Sequence, residues 1–210
     1  MMREIELVPP DEIEEKSFAI IRENLSRTGL SDGQMQVLLR VIHTTADFDY
    51  EKNLVFTEDA VETAKELLAR GTDIVTDTAM AAAGIHKRSL TRLGGKVLNF
   101  LADPDVAREA RERGLTRSWV SMERAAALAR PLIFAIGNAP TALLSLAELM
   151  DRGYRPALII AVPVGFVNAE QSKELILQKG APCIAARGRK GGSNVAAAIV
   201  NALLYQVTER

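Results

Sequence analysis

Apolar residues in the first third of the chain recur at the spacing of α-helices. One such helix face is formed by Met35, Leu38, Leu39 and Ile42. Ser31 and Gln34 precede it in the order of a capping box, so we expect this helix to begin next to Ser31. A second amphipathic helix is predicted from about Thr57 to Gly71, with acids in its first turn and an inward face made of Val61, Ala64 and Leu68.

Beyond this point the apolar residues form short unbroken runs, which are typical of strands buried on both faces. The runs lie at 73–76, 96–101, 132–136, 157–162 and 183–186. Helix-length segments alternate with them at 105–113, 118–129, 141–151, 169–178 and 193–206. This alternation predicts an α/β fold in three layers, with a mainly parallel sheet of about five strands and an amino-terminal helical segment. We find no repeat and no linker, so we expect one domain over residues 1–210.

The charge, aromatic content and cysteine content of the chain indicate which partners and which compartment to expect. The formal net charge is −1 and only 5% of the residues are aromatic, so we expect no nucleic-acid partner. No apolar run approaches the roughly 18 residues that cross a bilayer, so we expect no membrane partner. Cys183 is the only cysteine. Because the amino-terminal segment is also acidic where a secretory peptide is basic and then apolar, we predict a cytoplasmic protein.

The predicted strands run into loops rich in Gly, Pro, Asn and small hydroxyl residues. These loops cover residues 76–84, 136–143, 162–175 and 186–194. The carboxyl ends of parallel strands share one edge of a sheet, and ligands collect at that edge. The loops therefore mark the predicted binding site.

The last of these loops is the strongest candidate for binding an anion. It combines cations, glycines that allow close backbone approach, and the start of the final helix, in the residues Arg187, Arg189, Lys190, Gly191, Gly192, Ser193 and Asn194. Its order differs from that of a nucleotide P-loop, which argues against nucleotide binding. The alternative is a basic surface turn, but the clustering of cations at a helix start favours a ligand.

Two histidines are present, His43 and His86. An imidazole has an unperturbed pKa of about 6.5, which suits proton donation and return near neutral pH. Spacing alone favours the structural interpretation of His43, as a residue at the negative end of a helix dipole. His86 is interpreted as a solvated turn residue without a role.

Several other residues at strand ends and helix starts allow both a functional and a structural interpretation. Asn138 and Thr141 precede or begin a helix whose free amides suit a carboxylate, although a structural turn fits equally well. Arg117 stands at another helix start, where a surface residue is the commoner case. Asp77 is interpreted as a helix cap or as an acceptor for substrate, because no further metal ligands lie at suitable spacing. Cys183 is interpreted as an inert core residue.

Seven segments of the chain, in order, are similar to those of the precorrin-8X and cobalt-precorrin-8 methylmutase family. They are KSFAIIR, VIHTTADFDY, TDTAMAAAGI, GLTRS, GNAPTAL, PVGFVNAEQSKE and GRKGGSNVAAAIVNALLY, and they span nearly the whole chain. The resemblance implies a flavodoxin-like fold, a homodimer with its site near the subunit contact, and an isomerase of cobalamin biosynthesis. It implies that the ring methyl at C-11 moves to C-12 to give hydrogenobyrinate or cobyrinate.

The resemblance also implies residue roles. The family histidine that matches His43 is the proton donor and acceptor, and the serine that matches Ser17 contacts the substrate. No external cofactor and no metal are expected, since the proton returns to the same imidazole. The residues predicted to bind the corrinoid substrate are Ser17, Thr44, Thr45, Asp77, Arg117, Ser118, Asn138, Thr141, Arg189, Lys190, Gly191, Gly192 and Ser193.

Two details bear on the substrate. The segments HTTADFD and GRKGGSN look more like the branch of the family that acts on the cobalt-containing ring. Asn168 stands where many relatives have glycine after GFV, which puts one substrate contact in doubt.

Two other classes of protein remain as alternatives. A non-catalytic tetrapyrrole carrier of the same pathway would use the same basic loops but would not need His43. A flavin or nucleotide protein of flavodoxin-like fold is disfavoured because the phosphate-loop order is missing.

Overall fold

Residues 7–208 are described by a computed structural model, so residues 1–6, where the acidic amino-terminal segment begins, lie outside the described part. The helices are α1 Ile13–Glu23, α2 Asp32–Thr45, α3 Tyr50–Asn53, α4 Ala60–Ala69, α5 Ala79–Gly84, α6 Lys87–Arg92, α7 Pro104–Glu112, α8 Arg117–Ala126, α9 Pro140–Asp151, α10 Ala169–Gln178 and α11 Ser193–Val207. The strands are β1 Leu54–Phe56, β2 Asp73–Thr76, β3 Val97–Leu98, β4 Leu132–Ile136, β5 Leu158–Ala161 and β6 Cys183–Ala186.

The predicted amino-terminal helices are confirmed, and α2 begins as expected. The Gln34 N–H donates to Ser31 Oγ at 3.3 Å, and the Ser31 N–H donates to Gln34 Oε1 at 3.1 Å. This pair of bonds is the predicted capping box. It satisfies two backbone donors at the start of the helix that carries His43 at its other end.

The six strands form one sheet in the order β1-β6-β5-β4-β2-β3. All neighbours from β6 to β3 are parallel, as predicted from the helix-length segments between them. β1 pairs antiparallel with β6. The chain is therefore a mixed α/β protein with a mostly parallel sheet.

Successive strand residues point to opposite faces of the sheet and enter two separate cores. In β4, Ile133 and Ala135 belong to the core under α1, α2, α4 and α11. Phe134 and Ile136 belong to the core under α8, α9 and α10. The sheet is thus covered on both faces, which explains why its strands are apolar without alternation.

Three predictions about the elements were incomplete. β1 was not predicted, because three residues flanked by a helix give no strand signal of their own. Residues 79–84 were predicted as loop but form α5, capped by Thr78, whose Oγ1 accepts from the Ala81 N–H at 3.0 Å. The strand predicted over 96–101 is reduced to Val97–Leu98. Among residues 7–208, no helix combines the length and apolarity needed to cross a bilayer.

Candidate active site at the carboxyl edge of the sheet

The carboxyl ends of β2 and β4 lie side by side at the point where the strand order reverses. After β2 the chain goes to β3 on one side, and the next strand, β4, lies on the other side of β2. Loops that leave such a point diverge and open a crevice, which is where ligands bind in open α/β sheets. The candidate site lies at this crevice.

Asp77 holds the turn after β4 in place through three hydrogen bonds. Its carboxylate accepts hydrogen bonds from the backbone N–H groups of Gly137 at 2.9 Å, Asn138 at 2.7 Å and Ala139 at 2.7 Å. Burial raises the pKa of Asp77, and the three N–H donors oppose that shift. Asp77 is only 1% exposed, and its carboxylate is engaged by the backbone just before α9, so a contact with substrate stays a prediction. Asp77 thus holds together the turn that carries Asn138.

The starts of α5, α9 and α11 meet beside this turn. Thr78 Oγ1 and Ser193 Oγ are 2.8 Å apart. A Cβ at Gly137 would lie 2.6 Å from Ser193 Cα, and a Cβ at Gly191 would lie 2.1 Å from the Val162 oxygen. Glycine is therefore required at both positions, because backbone segments approach each other too closely for any side chain.

The basic loop 187–192 lies against the loop that follows β5. The Arg189 carbonyl accepts from the Gly165 N–H at 3.1 Å, and the Arg189 guanidinium lies 5.6 Å from the centre of the Phe166 ring. Phe166 is 84% exposed. A cation and an aromatic face thus stand together at the exposed rim of the crevice.

Lys190 connects this loop to the segment that follows His43. Its ammonium lies 2.6 Å from Asp47 Oδ2 and 2.6 Å from Asp49 Oδ2. The hydrogen bond from Lys190 lowers the pKa of Asp47. Lys190 is thus already paired with two carboxylates, and any other anion would have to compete with them.

His43 occupies the last turn of α2 and faces α1. Its Nδ1 lies 2.7 Å from Ser17 Oγ, and the Phe18 ring meets the imidazole edge-to-face at 5.5 Å. Among residues 7–208, Nε2 has no hydrogen-bond partner. His43 and Ser17 lie on the wall of a cleft of about 410 Å³ that is otherwise mainly apolar, lined by Val8, Ile13, Lys16, Ile20, Ile21, Ile42, Ala46 and Phe48.

A second contact fixes α1 on α2 beside this cleft. Arg40 Nη1 and Nη2 lie 2.8 and 3.0 Å from the two carboxylate oxygens of Glu14. The Arg40 guanidinium also lies 5.0 Å from the centre of the Phe18 ring and 5.1 Å from that of Tyr205. A planar bidentate pair of this kind sets orientation as well as distance. It therefore helps to hold Ser17 opposite His43.

Other residues predicted to bind substrate lie in the last turn of α2 and around the starts of α8 and α9. Thr44 and Thr45 donate their hydroxyls to carbonyls of their own helix, those of Arg40 and Val41, both at 2.8 Å. Thr116 Oγ1 donates to Thr141 Oγ1 at 2.8 Å, which joins the starts of α8 and α9. Beside this contact, Ser118 is buried and Arg117 and Asn138 are exposed.

Two buried charged residues were not predicted. Lys173 is fully buried beneath the basic loop, and its position on the inward face of α10, three residues before Ile176, was the available signal. The buried Glu51 accepts from the N–H groups of Ser26 and Arg27, which nothing in the sequence indicated. In the described part of the chain, no group of three or more His, Cys, Asp or Glu residues is arranged to hold a metal ion.

Comparison with known proteins identifies similar chains over nearly the whole length. A family model described as precorrin-8X methylmutase matches residues 12–206. The chain is 44% identical to the cobalt-precorrin-8 methylmutase of Salmonella typhimurium, over 95% of this chain and 97% of that one. It is 40% identical to the precorrin-8X methylmutase of Pseudomonas aeruginosa, over 93% of each. The crystal structure of the precorrin-8X methylmutase from Thermus thermophilus superimposes with a TM-score of 0.86 at 35% identity, covering 93% and 97% of the two chains.

Proposed function

Since the chain belongs to the precorrin-8X methylmutase family, we propose that His43 lends a proton to the substrate ring while a methyl group moves from C-11 to C-12. The protein is an isomerase of corrin biosynthesis. The substrate is precorrin-8 or its cobalt-containing form, and the product is hydrogenobyrinate or cobyrinate.

The observation that carries the proposal is the pairing of His43 with Ser17 on the wall of an apolar cleft. Ser17 Oγ engages Nδ1 at 2.7 Å, which fixes the ring plane and leaves Nε2 for the substrate. Protonation makes the conjugated ring more electron-poor and so eases migration of the methyl group. The same imidazole then takes the proton back, so atoms and charge balance without a co-reactant. A positioned acid/base of this kind contributes about 10²–10⁴-fold.

The rest of the rate enhancement is assigned to holding the ring in a reactive geometry. The substrate carries acetate and propionate groups around its rim, so it is a polyanion. Arg117 and Arg189 supply cations, and the helix starts at Thr141 and Ser193 supply backbone donors. Exposed apolar side chains near the same edge, Phe166 among them, suit the flat face of the ring.

The proposal also covers the fold class, the compartment, the oligomeric state and the form of the substrate. Leaving out β1, the sheet has the strand order 2-1-3-4-5, which is that of flavodoxin-like folds. We assign the chain to that class as one domain. We also assign it to the cytoplasm and to a homodimer whose subunit contact lies near the site. The substrate form is assigned to the cobalt-containing branch, in line with the segments HTTADFD and GRKGGSN.

The alternative is a carrier that binds the same corrinoid without turning it over. Both functions need the basic edge of the sheet, but only the isomerase needs an imidazole at position 43. A carrier would therefore bind precursor and product with no change in the absorption spectrum of bound precursor over time.

The test compares His43→Ala with His86→Ala. The two histidines are matched, because His86 Nδ1 also lies 2.8 Å from a serine hydroxyl, that of Ser89. Purified enzyme is incubated separately with metal-free and cobalt-loaded precursor, and formation of the corrin chromophore is followed in the visible spectrum. We expect turnover by the wild type and His86→Ala, and a loss of at least about 100-fold in kcat for His43→Ala with binding of cobyrinate retained. Undiminished turnover by His43→Ala would overturn the acid/base assignment.

A further inference from the structure

Lys173 is a buried cation that the reaction described above does not use. It lies on α10 with its side chain 0% exposed. Its ammonium donates to the carbonyl oxygens of Gly188 and Lys190, both at 2.8 Å. Burial lowers the pKa of Lys173 to about 8, because keeping the charged ammonium away from water costs free energy. Both of its recorded acceptors belong to the basic loop.

The two bonds fix how the peptide groups of this loop are turned. In a trans peptide, the C=O of one residue and the N–H of the next point in opposite directions. The Gly188 and Lys190 carbonyls point inward to the ammonium, so the Arg189 and Gly191 N–H groups point away from it. Within residues 7–208, neither N–H has a hydrogen-bond acceptor. Two free backbone donors are thus aligned on the outer side of the loop.

These donors lie beside other features that favour an anion. Gly191 and Gly192 lead directly into α11, a helix of 15 residues whose first turn carries unpaired N–H groups. The Gly192 N–H donates to the Val162 carbonyl at 2.9 Å, which holds the end of the loop against the end of β5. Successive backbone N–H groups that point into one space form a concave site for a carboxylate or phosphate.

We propose that Lys173 is a positioning residue, which turns the peptide groups of the basic loop so that the Arg189 and Gly191 N–H groups receive a carboxylate of the substrate. This rests on the proposed function, which supplies a polyanionic ring at this edge. Lys173 itself touches no substrate. Its contribution is to binding, because the loop lies at the rim of the ring rather than at the migrating methyl group.

A purely structural role for Lys173 would have different consequences. A lysine that only fills space and stabilises α10 would affect the unfolding temperature but not the affinity for the corrinoid. The two roles are separated by measuring affinity and kcat on folded protein below the unfolding transition.

The experiment uses three variants of the full chain. Lys173→Met removes the charge and both hydrogen bonds but keeps an unbranched apolar stem that is only one atom shorter. Lys173→Gln keeps N–H donors without the charge, and it serves if the methionine variant does not fold. Lys179→Met is the matched control, since Lys179 ends the same helix at the opposite edge of the sheet and pairs with Asp151.

The measurements are KM and kcat with the precursor, and the dissociation constant of cobyrinate by absorbance titration. We expect Lys173→Met to raise KM and the dissociation constant about tenfold, with kcat within about threefold of the wild type. The glutamine variant should weaken binding less, and Lys179→Met should match the wild type. Hydrogen exchange of the peptide that covers residues 186–194 should accelerate in Lys173→Met alone.

The outcomes separate this inference from the proposed function. Unchanged affinity in Lys173→Met and Lys173→Gln, or a fall in kcat with KM unchanged, would overturn the positioning role while leaving the isomerase intact. Binding of cobyrinate without turnover by the wild type would contradict the isomerase, and the titration would still decide the role of Lys173. No binding of cobyrinate by the wild type would overturn both.

Discussion

Ser17 Oγ lies 2.7 Å from His43 Nδ1, across the contact between α1 and α2. The two residues are 26 positions apart in the chain, so the bond depends on how the two helices pack. A ring nitrogen that is held on one side leaves the other with a defined direction. In the proposed mechanism, the pair therefore determines where the proton is delivered in the neighbouring cleft.

Removal of the Ser17 hydroxyl should reduce catalysis more than binding. In Ser17→Ala the imidazole loses the group that sets its orientation and tautomer, so we expect kcat to fall about tenfold with KM within about threefold. Steady-state kinetics on the purified precursor measure both. A tenfold rise in KM with kcat unchanged would instead make Ser17 a substrate contact only.

The matched control is Ser31→Ala, which removes a serine hydroxyl from the opposite end of α2. Loss of the cap should lower the free energy of unfolding by about 1 kcal/mol. Below the unfolding transition, kcat should equal that of the wild type. Urea unfolding and kinetics on the same preparation check both statements.

Asp77→Asn should destabilise the fold and weaken binding at the crevice. An asparagine side chain presents an N–H₂ group toward at least one of the three backbone N–H donors, which then loses its acceptor. We expect a loss of about 2–3 kcal/mol in the free energy of unfolding. The measurement is urea unfolding, with Asp105→Asn as control because Asp105 is exposed and pairs with Arg108 one helical turn away. Equal stabilities of the two variants would contradict the organising role of Asp77.

Asp47 and Asp49 should compete with the substrate for Lys190. The double variant Asp47→Asn/Asp49→Asn frees the ammonium, so we expect KM to fall about threefold at low ionic strength. Salt screens exposed charges, so the difference should vanish at about 1 M salt. Kinetics at two salt concentrations test this, and an unchanged KM at low salt would mean that Lys190 meets no substrate carboxylate.

Glu51 should contribute to the loss of stability in acid. Burial would raise its pKa, but the N–H groups of Arg27 and Ser26 outweigh burial and lower the pKa below the ordinary value of 4.5. A carboxyl group whose pKa is lowered by folding stabilises the fold at pH values above its pKa in the unfolded chain. This stability is lost as the pH falls through its pKa in the folded chain. Urea midpoints measured from about pH 6 to pH 3 should therefore fall less steeply in Glu51→Gln than in the wild type. Glu62→Gln, at an exposed helix position paired with Lys65, should follow the wild type.

The regular elements were predictable because their signals are local. The capping box at Ser31 and Gln34 and the apolar run at 132–136 each specify an element within a few residues. β1 was not predictable in this way, since the strand that it pairs with, β6, lies more than 120 residues further along the chain. Short segments take their conformation from such distant partners.

The sequence indicates candidate residues for the site, such as the basic loop and His43, but not the contacts between them. The ion pair of Lys190 with Asp47, for example, joins residues 143 positions apart. The three bonds of Asp77 could not be predicted, because a carboxylate at a strand end looks the same in sequence whether it faces substrate or three backbone amides. Burial and direction decide between these roles, and both are properties of the packed chain.

The antiparallel pairing of β1 with β6 has a consequence for how a large ring enters. The Arg187 N–H also donates to the Asn53 carbonyl at 2.8 Å, so main-chain bonds tie the segment after α2 to the loop after β6. No main-chain hydrogen bond ties α1 to α2 within residues 7–208, where Ser17, Phe18 and Arg40 make the contact through side chains. If the corrinoid binds beside His43 as proposed, we expect it to enter by rearrangement of side chains along α1, while the main-chain bonds of the sheet stay in place.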